Sequence, residues 1–459
     1  MNTALPVQLQ QLQNFFASGA TRDYAFRRQQ LEKLKACLLK YENELYEALY
    51  KDLRKSPEES WVTETGFVIA ELNHTLRNLK KWIKPQKVRT NLFNFPSRSF
   101  IYKEPLGLVL IIGPWNYPLQ LLLAPLIGAM AAGNCIVLKP SEWAPATAAL
   151  IRKMMNENFP EDYILYVEGK GEEVVPELMN SARFDHVFYT GGIEVGKIIY
   201  GMAAKQLTPV TLELGGKTPC VVEADANIRV AAKRIAVTKF SNAGQMCVAP
   251  DYVLVHRSVK ESFVNALVKS IEQFYSEESK HSYNYGKIIN DRQFNRLKEY
   301  LSHGRIIYGG QYDEASHHLE PTLLEEVPLD SVVMGEEIFG PVLPIISFES
   351  FEEAKAIINL NPEPLAFYVF TGSDAKEKRW LEEIPFGGGC VNNASWHLTN
   401  YHLPFGGRGN SGIGSYHGAY SFDLFSHQKS IMKTPTWFDP SIKYPPFKGK
   451  LSLFRKIIR

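Results

Sequence analysis

Cysteine is sparse in this chain, and nothing in its placement suggests cross-linking. The five residues, Cys37, Cys135, Cys220, Cys247 and Cys390, are scattered over 459 positions without a Cys-x-x-Cys pair. An odd, widely spaced set disfavours both a disulfide framework and a zinc site, so no metal is expected. Long apolar runs are missing too. No segment reaches the uninterrupted length of a membrane span, and the N-terminal Met1-Asn-Thr-Ala-Leu-Pro-Val-Gln-Leu lacks a basic stretch followed by a long apolar core. A soluble, cytoplasmic protein in a reducing compartment is the expectation. Neither charge sign dominates: 51 basic against 49 acidic residues leave a formal charge of +2, too little to gather nucleic acid. Repeats and low-complexity segments are absent as well. With 45% hydrophobic and 22% charged residues, what remains is a globular chain long enough for two or three domains.

Its organisation follows from periodicity. Between Phe26 and Leu53 the residues Leu31, Leu34, Leu38, Tyr41 and Leu45 recur at spacings of three and four with charges between them, which predicts an amphipathic helical lead-in. From Val88 to Lys103 alternating aromatic and polar residues around Pro96 predict an extended hairpin or arm. Buried strands then alternate with helices: Leu106–Ile112, a helix around Leu121–Ala132, Cys135–Leu138, a helix from Pro145, Tyr163–Val167, a helix from Glu172, and His186–Tyr189. That alternation is the mark of a doubly wound α/β fold, in which ligands bind beyond the carboxyl ends of the strands. A second such region is expected to open with Val210–Leu214 and Cys220–Val222. It continues through helices at Ile228–Phe240 and Val259–Phe274 and strands at Val342–Phe348 and Ala366–Thr371, ending near Val391. The segment from Asn400, rich in glycine, proline and aromatics, reads as loops and an oligomerising strand.

One thiol stands apart. Cys247 lies in Phe240-Ser-Asn-Ala-Gly-Gln-Met-Cys-Val-Ala-Pro-Asp-Tyr252, flanked by small and amide side chains rather than by the aliphatic residues that usually enclose a core cysteine, a setting that suggests a nucleophile. Upstream, Thr211-Leu-Glu-Leu-Gly-Gly-Lys217 offers a carboxylate at Glu213. The pair resembles the catalytic signature of the aldehyde dehydrogenase superfamily. The chemistry this implies is attack of a thiolate on an aldehyde, loss of hydride to NAD or NADP, and hydrolysis of the resulting thioester by water that a carboxylate activates.

Further strings fit that resemblance. In Leu110-Ile-Ile-Gly-Pro-Trp-Asn-Tyr-Pro118, Asn116 stands at the end of a buried strand, where its side-chain NH2 and the Cys247 backbone N–H could hold an oxyanion. Alone, such an asparagine would as readily stabilise a turn. Ile136-Val-Leu-Lys-Pro-Ser-Glu142 ends a strand with Lys139, where an ordinary dinucleotide fold carries an acid. A lysine there can donate to the ribose and tolerate a 2′-phosphate, and the adjoining Ser141 and Glu142 resemble the family's adenosine site. Phe188-Tyr-Thr-Gly-Gly-Ile-Glu-Val-Gly196 runs from strand to helix through two glycines. Thr190, Gly191, Gly192, Ile193, Glu194, Val195 and Gly196 are therefore candidates for the pyrophosphate, although Gly192 and Ile193 replace the Ser or Asn and the Thr more usual in the family. In Met334-Gly-Glu-Glu-Ile-Phe-Gly-Pro341 the resemblance implies that Glu337 holds the nicotinamide ribose and Phe339 packs near the nicotinamide. Trp115 is counted with the cofactor residues on the same basis. Met246, where the family usually has a small polar residue, either narrows the aldehyde channel or fills a gap in its wall.

The resemblance runs from about Arg27 to Lys450. The late Leu403-Pro-Phe-Gly-Gly-Arg-Gly-Asn-Ser-Gly-Ile-Gly-Ser-Tyr-His417 string points to the class 3 branch, the fatty and aromatic aldehyde dehydrogenases, typically homodimers. It implies a dinucleotide-binding domain from residues 1–84 and 105–209, a catalytic domain from 210–399, and bridging or oligomerisation segments from 85–104 and 400–459. Two other readings stay open: a CoA-acylating dehydrogenase, against which Glu213 speaks, and a catalytically silent dinucleotide-binding protein, which would be expected to lose Cys247 or Glu213. In the tail, Lys443, Lys448, Lys450, Arg455, Lys456 and Arg459 occur without an acid, while Leu451, Phe454, Ile457 and Ile458 follow a helical spacing. Such a segment could lie on an anionic membrane surface. Docking on a partner subunit or fraying in solvent is the favoured reading.

Overall fold

The computed structural model describes residues 5–276 and 278–458. Residues 1–4 of the N-terminal reading, and Arg459 and the Ile457 side chain of the basic tail, lie outside the described residues. Among those described, no helix is long and apolar enough to cross a membrane.

Two mainly parallel sheets carry the molecule. The first has the order Gly412–Ile413, Val210–Leu214, His186–Gly191, Leu108–Ile112, Cys135–Lys139, Ile164–Tyr166, parallel throughout except for the two-residue edge at 412–413. Its central strand, Leu108–Ile112, is apolar and buried at every position, as expected of a parallel strand covered on both faces. From this strand the chain winds outward on one side and then returns to the other, so a topological switch point falls between Leu108–Ile112 and His186–Gly191. Open α/β sheets bind ligands in the crevice there. The loop after the first of these strands carries Trp115 and Asn116, and the turn after the second carries Gly191 and Gly192.

The helix Gln120–Ala132 is buried along its whole length, a helix apolar all round that lies inside the protein rather than on its surface. It ends at Gly133, whose φ of 93° and contact with the Arg27 guanidinium, 2.6 Å from where a Cβ would stand, leave no room for a side chain. The lead-in anticipated as one helix is two, Tyr24–Lys40 and Glu42–Leu53. The apolar stripe runs on through both because buried Tyr41, at the break, keeps its register.

The second sheet has the order Arg305–Tyr308, Thr322–Glu325, Val342–Phe348, Tyr252–His256, Pro219–Val222, Ala366–Phe370, Gly388–Val391, with only the first strand antiparallel. Val210–Leu214, expected to open this region, pairs instead with His186–Gly191 in the first sheet, Thr190 opposite Glu213. A short apolar strand can be buried in either sheet, and only the long-range pairing chooses. The sheet therefore also borrows strands that periodicity did not reveal, at 252–256, 305–308 and 322–325.

The expected arm is present. Gln86–Val88 and Arg98–Pro105 form an antiparallel pair, to which Ser426–Lys433 adds along eight register positions from Pro105↔Ser426 to Arg98↔Lys433. This added strand is exposed at all but its first residue and lies at the edge of the small sheet.

Candidate active site

Cys247 is positioned by a backbone that departs from regular structure. After the helix Ile228–Phe240 the chain turns through Asn242 and Ala243, both left-handed at φ near 50°, a conformation that costs non-glycine residues energy and collects at functional sites. Gly244 follows at φ 75°, and its Cβ position lies 2.2 Å from the Gly340 carbonyl. The Cys247 loop and the Met334–Pro341 segment are thereby pressed together. Cys247 itself is half-buried. It lines two cavities at once, one of about 200 Å³ and one of about 830 Å³. Burial raises its thiol pKa, and Glu337 and Glu213 push the same way. The Cys247 and Val248 backbone amides oppose them but are outweighed.

Asn116 is 3% exposed, and its Nδ2 donates to the Gln245 carbonyl at 3.1 Å. An amide NH2 carries two N–H groups, so one remains to meet a substrate oxygen. Asn242 ties the two loops together, its Nδ2 donating to the Asn116 carbonyl at 2.9 Å and the Gln245 carbonyl at 3.2 Å. Gln245 is pinned in turn: its Nε2 donates to the Asn242 and Lys287 carbonyls and its Oε1 accepts from Ile289 N–H. The sequence placed Gln245 beside the thiol without giving it this part. Its amide in an otherwise small-residue run was the available signal.

Glu213 is 3% exposed, and neither carboxyl oxygen has a hydrogen-bond partner among the described residues. Desolvation alone holds its pKa well above the ordinary carboxylate range. A buried acid raised in this way is suited to proton transfer. Like Cys247, it lines both cavities, together with its strand neighbour Thr190.

The larger cavity collects most of the residues singled out for a dinucleotide. Trp115, Asn116, Thr190, Gly191, Gly192, Ile193, Glu194, Val195, Glu337 and Phe339 all line it. The helix Ile193–Ala204 begins there with no side chain capping its first turn, which leaves amide N–H groups to face an anion. Trp115 and Phe339 meet edge to face at 5.2 Å. Glu337 lies against the two glycines after Glu213: a Cβ on Gly215 would come within 1.9 Å of its Oε2. Its Oε1 has no partner among the described residues, and burial, with Asp251 adding to it, raises its pKa. A buried acceptor without a donor is what a ribose hydroxyl would satisfy. Arg296 donates to the Glu337 and Ile338 carbonyls, and buried Lys217 to those of Val333 and Glu336. Both hold the segment that presents Glu337 and Phe339. Neither was singled out, although Lys217 closes the quoted Glu213 string.

Four candidates stand outside this cavity's lining. Lys139 ends its strand on the expected edge, but its Nζ is buried and donates to Glu142 Oε2 and the Pro140 carbonyl, both at 2.8 Å. Glu142 also accepts from Gly171 N–H at 2.9 Å, and Ser141 Oγ accepts from Trp143 N–H. Gly196 faces strand rather than solvent; a Cβ there would stand 2.6 Å from Leu214, so it permits close helix-to-strand packing.

The smaller cavity is apolar. Phe67, Tyr117, Leu121, Met246, Trp396 and Phe405 contribute to its wall. Met246 is thus on the wall. His417, at the end of the late glycine-rich string, joins it, stacked on Phe405 at 5.4 Å.

The comparisons agree with this architecture. The aldehyde dehydrogenase family model matches residues 12–431. A 4,4'-diaponeurosporen-aldehyde dehydrogenase of Staphylococcus aureus is 45% identical over 447 residues, 97% of each chain. A rat aldehyde dehydrogenase described as dimeric and NADP-preferring is 43% identical over 438 residues, 95% of this chain and 96% of the other. Among solved structures, S. aureus AldH in a substrate-bound state superposes with a TM-score of 0.97 at 44% identity, covering 100% of both chains. An indole-3-acetaldehyde dehydrogenase with NAD+ gives 0.85 at 27% identity over 93% and 88%. The chain belongs to the aldehyde dehydrogenase family. It is an NAD(P)-dependent oxidoreductase acting on the aldehyde group.

Proposed function

We propose that Cys247 is the nucleophile, Asn116 the oxyanion donor and Glu213 the base of a hydrolytic aldehyde dehydrogenase. The observation that carries this reading is that Cys247 and Glu213 both line an apolar cavity and a larger, more polar one at their junction.

The thiolate sulfur bonds to the carbonyl carbon, and the carbonyl electron pair moves onto oxygen. Asn116 Nδ2–H and the Cys247 backbone N–H stabilise that charge. A bound nicotinamide would supply the hydride acceptor that lets the C=O bond re-form. A thioester on Cys247 remains. Glu213, once ionised, takes a proton from water, whose oxygen adds to the thioester; the C–S bond breaks, and the acid departs. For the cofactor, the first turn of Ile193–Ala204 would hold the pyrophosphate, Glu337 the nicotinamide ribose, and Lys139 with Ser141 and Glu142 the adenosine ribose. Trp115 and Phe339 would flank the nicotinamide.

The aromatic and aliphatic wall of the smaller cavity favours medium- or long-chain aliphatic and aromatic aldehydes. Glu213 favours water over CoA as acceptor, since a thiol needs less help from a base. The exposed edge of Ser426–Lys433 supports a homodimer formed through residues 85–104 and 400–459, with the basic tail docked on the partner. Residues 1–84 and 105–209 would serve the dinucleotide and 210–399 catalysis, with the strand 210–214 shared between them. Free thiols throughout the chain suit a reducing cytoplasm. Reduced-cofactor formation from a panel of aldehydes with NAD and NADP, with and without CoA, tests the reading. Oxidation that required CoA would overturn it.

A further inference from the structure

A buried ion pair lies behind the oxyanion loop, outside every motif identified from sequence. Lys55 and Glu64 have side chains at 0% exposure, with Nζ and Oε1 2.6 Å apart. Lys55 Nζ also donates to the Asn116 carbonyl at 3.0 Å and stands 3.8 Å from the centroid of the Tyr117 ring. The other carboxyl oxygen of Glu64 accepts from Leu119 N–H at 3.1 Å and Gln120 N–H at 2.9 Å, where the buried helix Gln120–Ala132 begins. Every residue from Asn116 to Gln120 except Tyr117 and Pro118 is therefore hydrogen-bonded by one of these two groups, and Tyr117 carries the ammonium on its ring.

The same segment reaches the nucleophile loop. Glu59 Oε1 accepts from Asn242 N–H at 2.8 Å, the left-handed residue whose side chain bridges the Asn116 and Gln245 carbonyls. Glu59 and Lys55 thus hold the two loops whose N–H groups would form the oxyanion hole. The backbone is specialised to match. Residues Trp61–Thr65 form a π-helical turn between Pro57–Ser60 and Gly66–Ile83. Such turns insert an extra residue and occur often at functional sites. Gly66 closes it, its Cβ position only 2.7 Å from the Trp61 carbonyl. The extra residue aims Glu64 inward while Val62, Thr63 and Phe67 line the apolar cavity.

A buried ion pair is a poor way to stabilise a fold, because desolvation consumes most of the attraction; fixing one geometry is a better-attested use. We infer that Lys55 and Glu64, with Glu59, are positioning residues that set the oxyanion hole by clamping the Asn116 loop against the Cys247 loop. The inference rests on the assignment of Asn116 as oxyanion donor.

Lys55→Met keeps the length of the side chain and removes its donors. Misplacing a reacting group by about 1 Å costs on the order of 100-fold in rate, so the pre-steady-state burst of reduced cofactor should slow roughly 10- to 100-fold while cofactor affinity stays unchanged. Lys55→Met alone leaves Glu64 unpaired. The doubly neutral Lys55→Met/Glu64→Gln variant is therefore made alongside it and takes its place if the single variant does not fold. Its melting temperature should recover towards wild type, with the burst still slow, since the Asn116 carbonyl still has no ammonium donor. Combination with Asn116→Ala gives the decisive readout. If the clamp acts through Asn116, neutralising the pair in that background should change the burst rate little, because the group being positioned is gone. A full additional loss there would overturn the clamp. A wild-type burst rate in the folded doubly neutral variant would do the same. A wild-type burst rate in Asn116→Ala alone would instead refute the oxyanion assignment beneath it.

Discussion

The side-chain amide of Asn116 donates to the backbone carbonyl of Gln245 at 3.1 Å, two residues ahead of Cys247. Asn116 follows a strand of the first sheet and Gln245 precedes a strand of the second, so this bond joins the two halves of the site. One amide hydrogen is fixed on the carbonyl, and the plane of the group then directs the other. The second N–H, the proposed oxyanion donor, is held before any substrate arrives, which is the condition under which an oxyanion contact lowers a barrier.

Removing that donor should be felt in acylation. Asn116→Ala is expected to slow the burst of reduced cofactor by roughly 100- to 1000-fold, the usual cost of losing one oxyanion donor. Cys247→Ala should abolish oxidation altogether while leaving cofactor binding, because only the proposed nucleophile is lost. Stopped-flow absorbance and cofactor titration read these two effects separately.

Glu213→Gln should preserve the burst and depress steady-state turnover by roughly 100- to 10,000-fold, the range of general-base contributions. Equal loss in both phases would place Glu213 before thioester formation. In the wild type, deacylation should rise with pH through the elevated pKa of Glu213.

Stability carries the opposite pH signature. Since burial raises the Glu213 pKa in the fold, the folded chain retains a proton that the unfolded chain releases above its ordinary value of 4.5. The folded state binds more protons in that window, and its stability falls as pH increases towards the folded pKa. Glutamine matches the protonated acid in shape and charge, so Glu213→Gln should melt with wild type near pH 4 and above it at pH 7. Thermal melts across that range check the sign.

Gly215→Ala tests the cradle of Glu337. Its added Cβ would fall 1.9 Å from Glu337 Oε2, and overpacking of this kind costs about 1–3 kcal/mol. Cofactor affinity should drop by roughly tenfold or more, with little change in the reactivity of Cys247 towards a small alkylating reagent. Titration of cofactor binding and thiol alkylation measure the two.

Lys139→Ala should raise the KM for NADP more steeply than for NAD if its charge meets the 2′-phosphate. In the free protein that charge is already engaged by Glu142 at 2.8 Å, so Glu142→Gln should improve NADP relative to NAD. Steady-state KM values for both cofactors in both variants decide it; equal losses in Lys139→Ala would leave only a ribose contact.

Much of this site was legible because its parts are local strings. Cys247 among small and amide residues, Glu213 before paired glycines, and the Gly191-Gly192 turn before a helix each need a particular residue at a particular place in the chain. Alternating apolar strands and helices likewise announced a doubly wound fold, since a strand buried on both faces must be apolar throughout. Sequence could not assign Val210–Leu214 to a sheet, because an apolar strand fits either and its partner is decided by distant residues. It could not show that Lys139 is occupied by Glu142, or that Gly196 serves packing against Leu214. Lys55, Glu59 and Glu64 fall between the helical lead-in, which ends at Leu53, and the arm that starts at Val88, where no motif singled them out. Tertiary structure alone buried Lys55 and Glu64 and turned all three towards the two loops, for the charge of a side chain is written in the sequence but its desolvation depends on everything packed around it.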